Sequence, residues 1–162
     1  MNFKFRLADL SYSNKLKEFY KLTVEENYKE MFDKIWINKE KRNGERYIDK
    51  IKKDKFFKIF LILKNEKIIG CLPIKIYKDE NKAYLGDFLI EKKYQQKGLG
   101  SNLLSKSFNY LKKFKVKKIF LVTFKKQKRA INFYKKHGFI IQTEFYIKGS
   151  DDLVIGMSKD LY

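Results

Sequence analysis

The segment Gln95-Gln96-Lys97-Gly98-Leu99-Gly100 is the stretch of this chain best suited to grip an anion. It lies between an apolar extended run and a strongly amphipathic stretch, so its glycines fall at a strand-to-helix turn. Unpaired backbone N–H groups and the positive end of a helix dipole converge there. Gly98 and Gly100 would let that backbone come close to a phosphate or pyrophosphate. A tight turn without a ligand is the plainer alternative. Two familiar phosphate motifs are excluded: a dinucleotide fingerprint needs a glycine where Leu103 stands, and a P-loop needs Gly-Lys-Ser or Gly-Lys-Thr. Farther along, Ala130-Ile131-Asn132-Phe133-Tyr134-Lys135-Lys136-His137-Gly138-Phe139 carries a phenol and the chain's one histidine. His137 precedes Gly138 at a helix end, where a donor near the last carbonyls and a glycine just beyond account for it structurally. One Cys and one His cannot hold structural zinc, and no metal is expected. Cys71 has no second cysteine to bridge to and reads as a small buried apolar residue in a strand.

Hydrophobic period gives the elements that must position these segments. Phe3–Leu7 alternates as a short strand, and 11–20 places Leu16, Phe19 and Tyr20 at helical spacing. A second helix is expected from the capping-box spacing of Thr23 and Glu26 and the stripe Tyr28, Met31, Phe32, Ile35 and Trp36, with 39–46 an exposed loop. Residues 56–63 and 68–77 read as antiparallel strands around a turn at 64–67, Pro73 marking an edge or a bulge. A third strand, 83–90, and a helix, 100–114, follow. The remainder reads as a strand (116–123), a helix (129–137) and two strands (139–147 and 153–158). The order β-α-α-β-β-β-α-β-α-β-β predicts an α/β (α+β) fold in one domain over 1–162. Its core is a mixed, mostly antiparallel sheet of about seven strands flanked by about four helices.

Lys and Arg number 38 against 19 Asp and Glu, a net charge of +19. Abundant Lys, Ile, Asn, Phe and Tyr fit an A/T-rich genome, which raises Lys without any functional cause. The low acid content still leaves room for an anionic partner, whether a phosphate-bearing small molecule, RNA or an acidic protein. A solvated basic surface is the alternative. A chain of 162 residues, 17% aromatic, supplies a core without disulfides, so most of it is expected to be ordered. Residues 1–10 lack the apolar stretch of a signal peptide, and the runs at 59–63 and 118–122 are far too short to cross a bilayer. A cytoplasmic, non-membrane protein is expected.

Taken together, the two segments resemble the GCN5-related N-acetyltransferase (GNAT) superfamily. Its acetyl-CoA loop reads Q/R-x-x-G-x-G/A, met by Gln95, Gly98 and Gly100. Its later helix commonly reads A-x-x-F/L-Y-x-x-x-G-F, met by Ala130, Phe133, Tyr134, Gly138 and Phe139. The resemblance runs from about Phe3 to Leu161 and implies an acetyl-CoA-dependent N-acetyltransferase. On that resemblance, the backbone of Phe88, Leu89 and Ile90 would pair with the pantetheine arm. The amides of Gln95, Gln96, Lys97, Gly98, Leu99 and Gly100 would hold the pyrophosphate, with Lys92, Lys93 and Lys97 close by. Tyr134 would contact the cofactor and protonate the departing CoA thiolate. The family's usual Asn three residues before the alanine is Gln127 here, a longer amide at a cofactor contact, and Asn132 joins that set.

An attacking amine must be neutral, which calls for a base or a water chain ending at a carboxylate. Asp87 and Glu91 are the candidates, because the Glu that some members carry before the tyrosine helix is absent from Leu121, Val122 and Thr123. Tyr20, Tyr28, Phe32 and Trp36 either border the acceptor or belong to the core. The acceptor would be a small-molecule or protein amine. High positive charge argues against polyamines and toward acidic or ribosome-associated partners. A non-catalytic acyl-CoA sensor or an RNA-binding module on the same fold is the alternative.

Overall fold

A central hairpin organises the sheet. β2 (Phe57–Lys64) and β3 (Lys67–Tyr77) are joined by Asn65 and Glu66, both at positive φ, as a two-residue primed turn requires. β2 sends Phe60 and Ile62 to one face and Phe57, Ile59, Leu61 and Leu63 to the other, so core lies on both sides of it. The computed structural model describes residues 2–162; Met1, the start of the 1–10 segment, lies outside them. The other strands are β1 (Phe3–Leu7), β4 (Lys82–Leu85), β5 (Leu89–Ile90), β6 (Lys118–Phe124), β7 (Ile140–Tyr146) and β8 (Leu153–Asp160). They form one eight-stranded sheet in the order β1-β2-β3-β4-β6-β8-β7, with β5 also on β3. Among the described residues only β4 and β6 pair in parallel.

Helices α4 (Leu99–Lys112) and α5 (Lys128–Lys136) cover one face, burying Leu103, Leu104, Leu111 and Ile131 against the sheet. Helices α1 (Ser13–Tyr28), α2 (Lys34–Lys41) and α3 (Asn43–Lys53) cover the other. The buried strand residues of that second core come from β2, β3 and β5, and Phe124 at the end of β6 packs against it, so most of the β4-β6-β8-β7 half of this face carries no helix. No helix among the described residues is long and apolar enough to cross a membrane.

Three departures from the sequence reading bear on the site. Thr23 does not cap a helix: α1 runs through it and buries it, and the break falls at 29–33, where Asp33 accepts from Trp36 N at 2.8 Å. The stripe from Tyr28 to Trp36 bridges that break by stacking, with Phe32 and Trp36 centroids 3.9 Å apart. The expected loop at 39–46 is largely helical. Asn43 and Gly44 are buried, and α3 rests so closely on α1 that a Cβ at Gly44 would lie 2.8 Å from Leu16 O. Finally, the expected strand 83–90 divides at Gly86, Asp87 and Phe88. Both parts stay on β3, but β4 also pairs with β6 whereas β5 does not, and the described residues form eight strands and five α-helices.

Pro73 lies at that division, in an interior strand and not on an edge. Its carbonyl accepts from Gly86 N at 2.8 Å, and its nitrogen, lacking a proton, faces the same side, where β3 changes partner and no ladder bond is required.

Candidate active site

Where β4 and β5 part, the sheet opens into a gap. Glu91 N donates to Ile69 O at 2.9 Å, so strand alternation turns Leu89 toward β3 as well and leaves the backbone of Phe88 and Ile90 facing the gap. Of the three backbone positions expected to meet a pantetheine arm, two are thus suitably directed, and Leu89 is core. The Ile90 carbonyl is shared by Gln95 Nε2 at 2.8 Å and Asn27 Nδ2 at 3.3 Å, and Gln95 also donates to Asn27 Oδ1 at 2.6 Å. The Gln95 side chain therefore fastens the glycine turn to β5 and α1, satisfying a carbonyl at a strand end.

Gly98 is the N-cap of α4 at φ +76°, with no side-chain hydrogen bond at the cap and nothing within 4 Å of where a Cβ would stand. The first-turn N–H groups of a 14-residue helix thus open onto free space, a fit for a diphosphate. Leu99 anchors the turn in the core, Gln96 holds a positive φ of 58°, and both Gln96 and Lys97 are exposed. The ammonium groups of Lys64, Lys93 and Lys97 gather 5.0, 5.2 and 5.6 Å from the Tyr94 ring, a cationic cluster on the element leading into this turn. Gly100 brings the turn to the gap: a Cβ there would sit 3.4 Å from Ile90 Cδ1 and Phe133.

Tyr134, on α5, is 6% exposed, its ring centroid 5.4 Å from those of Phe133 and Phe139. Its hydroxyl makes no hydrogen bond within the described residues, yet no fully buried side-chain oxygen there lacks a partner, so the phenol oxygen keeps some access to solvent. Burial raises its pKa strongly, and Tyr28, Asp87 and Tyr84 push the same way. Groups from helices on opposite faces of the sheet therefore meet electrostatically through the gap.

Asp87 occupies the division between β4 and β5. Its Oδ2 accepts from Asn43 Nδ2 at 2.7 Å and from the Tyr47 hydroxyl at 2.8 Å. Burial raises its pKa, outweighing these bonds and the cations Arg46 and Lys50. Asn43 also donates to Glu40 Oε2 at 2.5 Å and accepts from Arg46 Nη1 at 3.0 Å. The Glu40 carboxyl is raised by burial and then by Asp87. One buried amide thus holds two carboxyl groups side by side. Glu40 is the residue that sequence reasoning missed; Glu40 at the end of α2 and Asn43 at the start of α3 lie within the expected loop, with Tyr47 just beyond it, at a spacing of i, i+3, i+7.

The remaining candidates divide. Glu91 is nearly buried and ion-paired to Lys67 at 2.9 Å and Lys93 at 3.5 Å, which removes it from the Asp87 cluster. Gln127 Oε1 accepts from Thr123 Oγ1 at 2.7 Å and Phe124 N at 3.2 Å, pinning the β6–α5 turn beside the Tyr28 hydroxyl. Asn132 is exposed on α5, and His137 Nδ1 lies 2.8 Å from Phe133 O at the helix end. Tyr20 is fully buried core, whereas Tyr28, Phe32 and Trp36 cluster with Phe124 at the β6 end of the gap. Among the described residues no three metal-ligating side chains come together.

A split sheet with a glycine turn on one side of the split and a phenol and carboxyl groups at its mouth is the framework of an acyl-CoA-utilising N-acetyltransferase fold. The sequence profile of the acetyltransferase (GNAT) family matches residues 17–139, a span that holds every feature just described, and the chain belongs to that family. It is 33% identical over 82 residues to the spermine/spermidine N(1)-acetyltransferase of Bacillus subtilis, covering 48% of this chain and 54% of that protein. The chain thus spans about half the length of that relative. In fold it is similar to the PaiA N-acetyltransferase of Thermoplasma acidophilum, solved with coenzyme A (TM-score 0.82, 21% identity, 99% of each chain). It is also similar to the ribosomal-protein-S18-alanine N-acetyltransferase of Escherichia coli (TM-score 0.75, 15% identity, 99% of this chain and 96% of that one).

Proposed function

We propose that this protein transfers an acetyl group from acetyl-CoA to the primary amine of a cationic acceptor, by direct attack in a ternary complex. The observation that carries the reading is the gap itself, with uncapped α4 amides on one side and the Asn43-bridged carboxyl groups of Glu40 and Asp87 on the other. The α4 amides from Gly98 to Gly100 and the Lys93 and Lys97 ammonium groups would hold the diphosphate, and the Phe88 and Ile90 backbone would line the arm. Acetyl-CoA supplies the acetyl group as an activated thioester, whose C–S bond breaks as the acceptor nitrogen forms the C–N bond.

Asp87 takes the proton the acceptor nitrogen must lose, a role its raised pKa suits because base strength rises with it. Tyr134 holds its proton at Oη and donates a hydrogen bond to the leaving sulfur, since burial keeps the phenol neutral. An acyl-cysteine relay has no candidate: Cys71 is fully buried against the Tyr20 hydroxyl at 3.5 Å, and burial pushes its thiol up to about 12.

The acceptor class follows from local charge. At a distance the +19 chain repels a polycation, but that field is screened beyond roughly 8 Å at physiological salt. At contact the acceptor meets Glu40 and Asp87, which favour a nitrogen bearing a proton and a second ammonium near it. The named activity of the B. subtilis relative agrees with a diamine or polyamine. A free thiol and a donor made in the cytoplasm fit reaction there. The test is thiol release from acetyl-CoA with a panel of spermidine, putrescine, butylamine and an N-terminal peptide. We expect turnover with the diamine and polyamine, and a raised KM for them in Glu40→Gln with unchanged acetyl-CoA affinity. Tight acetyl-CoA binding with transfer to no amine would overturn the reading.

A further inference from the structure

The last turn of α1, Glu25-Glu26-Asn27-Tyr28, makes a poor helix end by its own sequence. A helix C-terminus favours Lys or Arg, and this turn holds neither but carries two acids. Asparagine is a weak helix former, because its amide competes for backbone groups. Such departures from local preference are kept where a tertiary contact rewards them, and each of these residues has one. Glu25 pairs with Lys41 of α2. Glu26 and Asn27 reach the segment that leads into the glycine turn.

That segment is held from α1 at three points. Asn27 Nδ2 donates to Ile90 O at 3.3 Å, where β5 ends. Glu26 Oε2 accepts from Lys92 N at 3.0 Å, satisfying the first amide of the short 3-10 turn Lys92–Tyr94. Asn27 Oδ1 accepts from Gln95 Nε2 at 2.6 Å, one residue past that turn. Asn27 is itself set by its own helix, its Nδ2 donating also to Thr23 O at 2.9 Å, and Leu16, Phe19, Tyr20 and Val24 fix α1 in the second core. The asparagine is therefore a firm reference point. Between Gln95 and Leu99 the chain has little else to hold it: Gln96 and Lys97 are exposed, and Gly98 has neither a capping side chain nor a neighbour within 4 Å of a Cβ position.

We infer that Asn27 is a positioning residue for the cofactor, acting through Gln95 to aim the Gly98–Gly100 amides at the diphosphate; the inference rests on the acetyl-CoA reading proposed above. The Gln95 amide has two acceptors, Asn27 Oδ1 and Ile90 O at 2.8 Å. Without Asn27 one remains, and the side chain can swing about that single bond. The amides that follow then point at the diphosphate for only part of the time, and affinity falls by that fraction. The next residue, Tyr28, serves the opposite wall. Its ring meets Phe32 at 5.9 Å and Trp36 at 5.5 Å, which pack on Phe124 of β6, and the Gln127 side chain bonds its hydroxyl. One turn of α1 thus spans the gap from β5 to β6, and Asn27 is its hold on the cofactor wall.

Calorimetric titration of acetyl-CoA into the wild type, Asn27→Ala, Gln95→Ala and the double variant tests this, with turnover of S-acetylpantetheine, a thioester donor that has no diphosphate, as the second readout. We expect Asn27→Ala to bind acetyl-CoA about 5- to 10-fold more weakly, the worth of one well-made hydrogen bond. Its melting temperature should hold within a few degrees, since alanine restores the helix propensity that asparagine lacks. Gln95→Ala leaves α1 intact and should match it, the double variant should add nothing to either, and kcat/KM for S-acetylpantetheine should stay within about twofold of the wild type. Unchanged acetyl-CoA affinity in Asn27→Ala, additive losses in the double variant, or an equal loss with both donors overturns the inference and leaves the proposed function standing. A wild type that binds no acetyl-CoA overturns the proposed function, and this inference with it.

Discussion

Replacing Asp87 by Asn separates its chemistry from its structural role, because the side chain keeps its shape while losing its charge. Both bonds to Asp87, from Asn43 at 2.7 Å and Tyr47 at 2.8 Å, go to the same oxygen, and an amide oxygen accepts both. The half-buried residue leaves the new NH2 group access to water. Burial raises the folded-state pKa above the ordinary 3.8 even after these two bonds have opposed it. Between 3.8 and the folded value, the native state therefore binds more protons than the unfolded one, and stability falls as pH rises through that window. Above the window the wild type carries a buried-charge penalty of about 1.4 kcal/mol for every tenfold by which folding weakens the acid, and Asp87→Asn does not. We expect the variant to melt at or above the wild-type temperature at pH 7, and the difference to close on acidification toward pH 4. Its kcat should fall by about 10²- to 10⁴-fold, the range of a positioned base, with acetyl-CoA affinity intact. Thermal melts at several pH values and steady-state kinetics measure both. Full activity, or a loss of stability at neutral pH, would refute the reasoning.

Tyr134→Phe removes a hydroxyl that has no protein partner, so stability should stay within about 0.5 kcal/mol while kcat drops about 10²-fold or more; melting and turnover together check it. Gly98→Ala forces a Cβ onto φ +76°, which should cost about 1 kcal/mol in denaturant titration and weaken acetyl-CoA by about tenfold in calorimetry. Gly44→Ala should lose about 1–3 kcal/mol, because backbone 2.8 Å away cannot yield. As α3 carries Asn43 and Tyr47, the same change should raise the acceptor KM and spare acetyl-CoA binding.

The glycine turn and tyrosine helix of the candidate site, the side proposed to hold the cofactor, were legible as elements because their signals are local. Gly98, Gly100 and Tyr134 sit at fixed offsets within single strand-turn-helix units, and short-range spacing shows such units directly. The side proposed to hold the acceptor was not. Gly44 reads as a helix breaker until Leu16 is seen against it, and a mostly charged 39–46 gave no apolar stripe to betray two helix ends. The break at Asp87 was hidden for a related reason: 83–90 is continuously strand-like and stays on β3 at both ends, and only the pairing of β4 but not β5 with β6 opens the sheet there. Gln95 matched its motif, yet tertiary contacts with Asn27 decide what its side chain does.

The single parallel pair, β4 with β6, also orders the assembly of the molecule. The β2–β3 hairpin needs only its two-residue turn, whereas Lys82 meets Lys118 only after all of α4 has crossed the sheet. Pairings across long separations close late, since loop entropy must be overcome before any contact rewards it. By that argument the gap is completed after the β2–β3 hairpin, and a chain that has formed only the hairpin offers no slot to fill. A ligand resident there acts as a latch on the finished topology, contributing about 2.7 kcal/mol when present at a hundredfold its Kd. Metabolite supply and the lifetime of the folded chain would then be coupled through one break in a β-sheet.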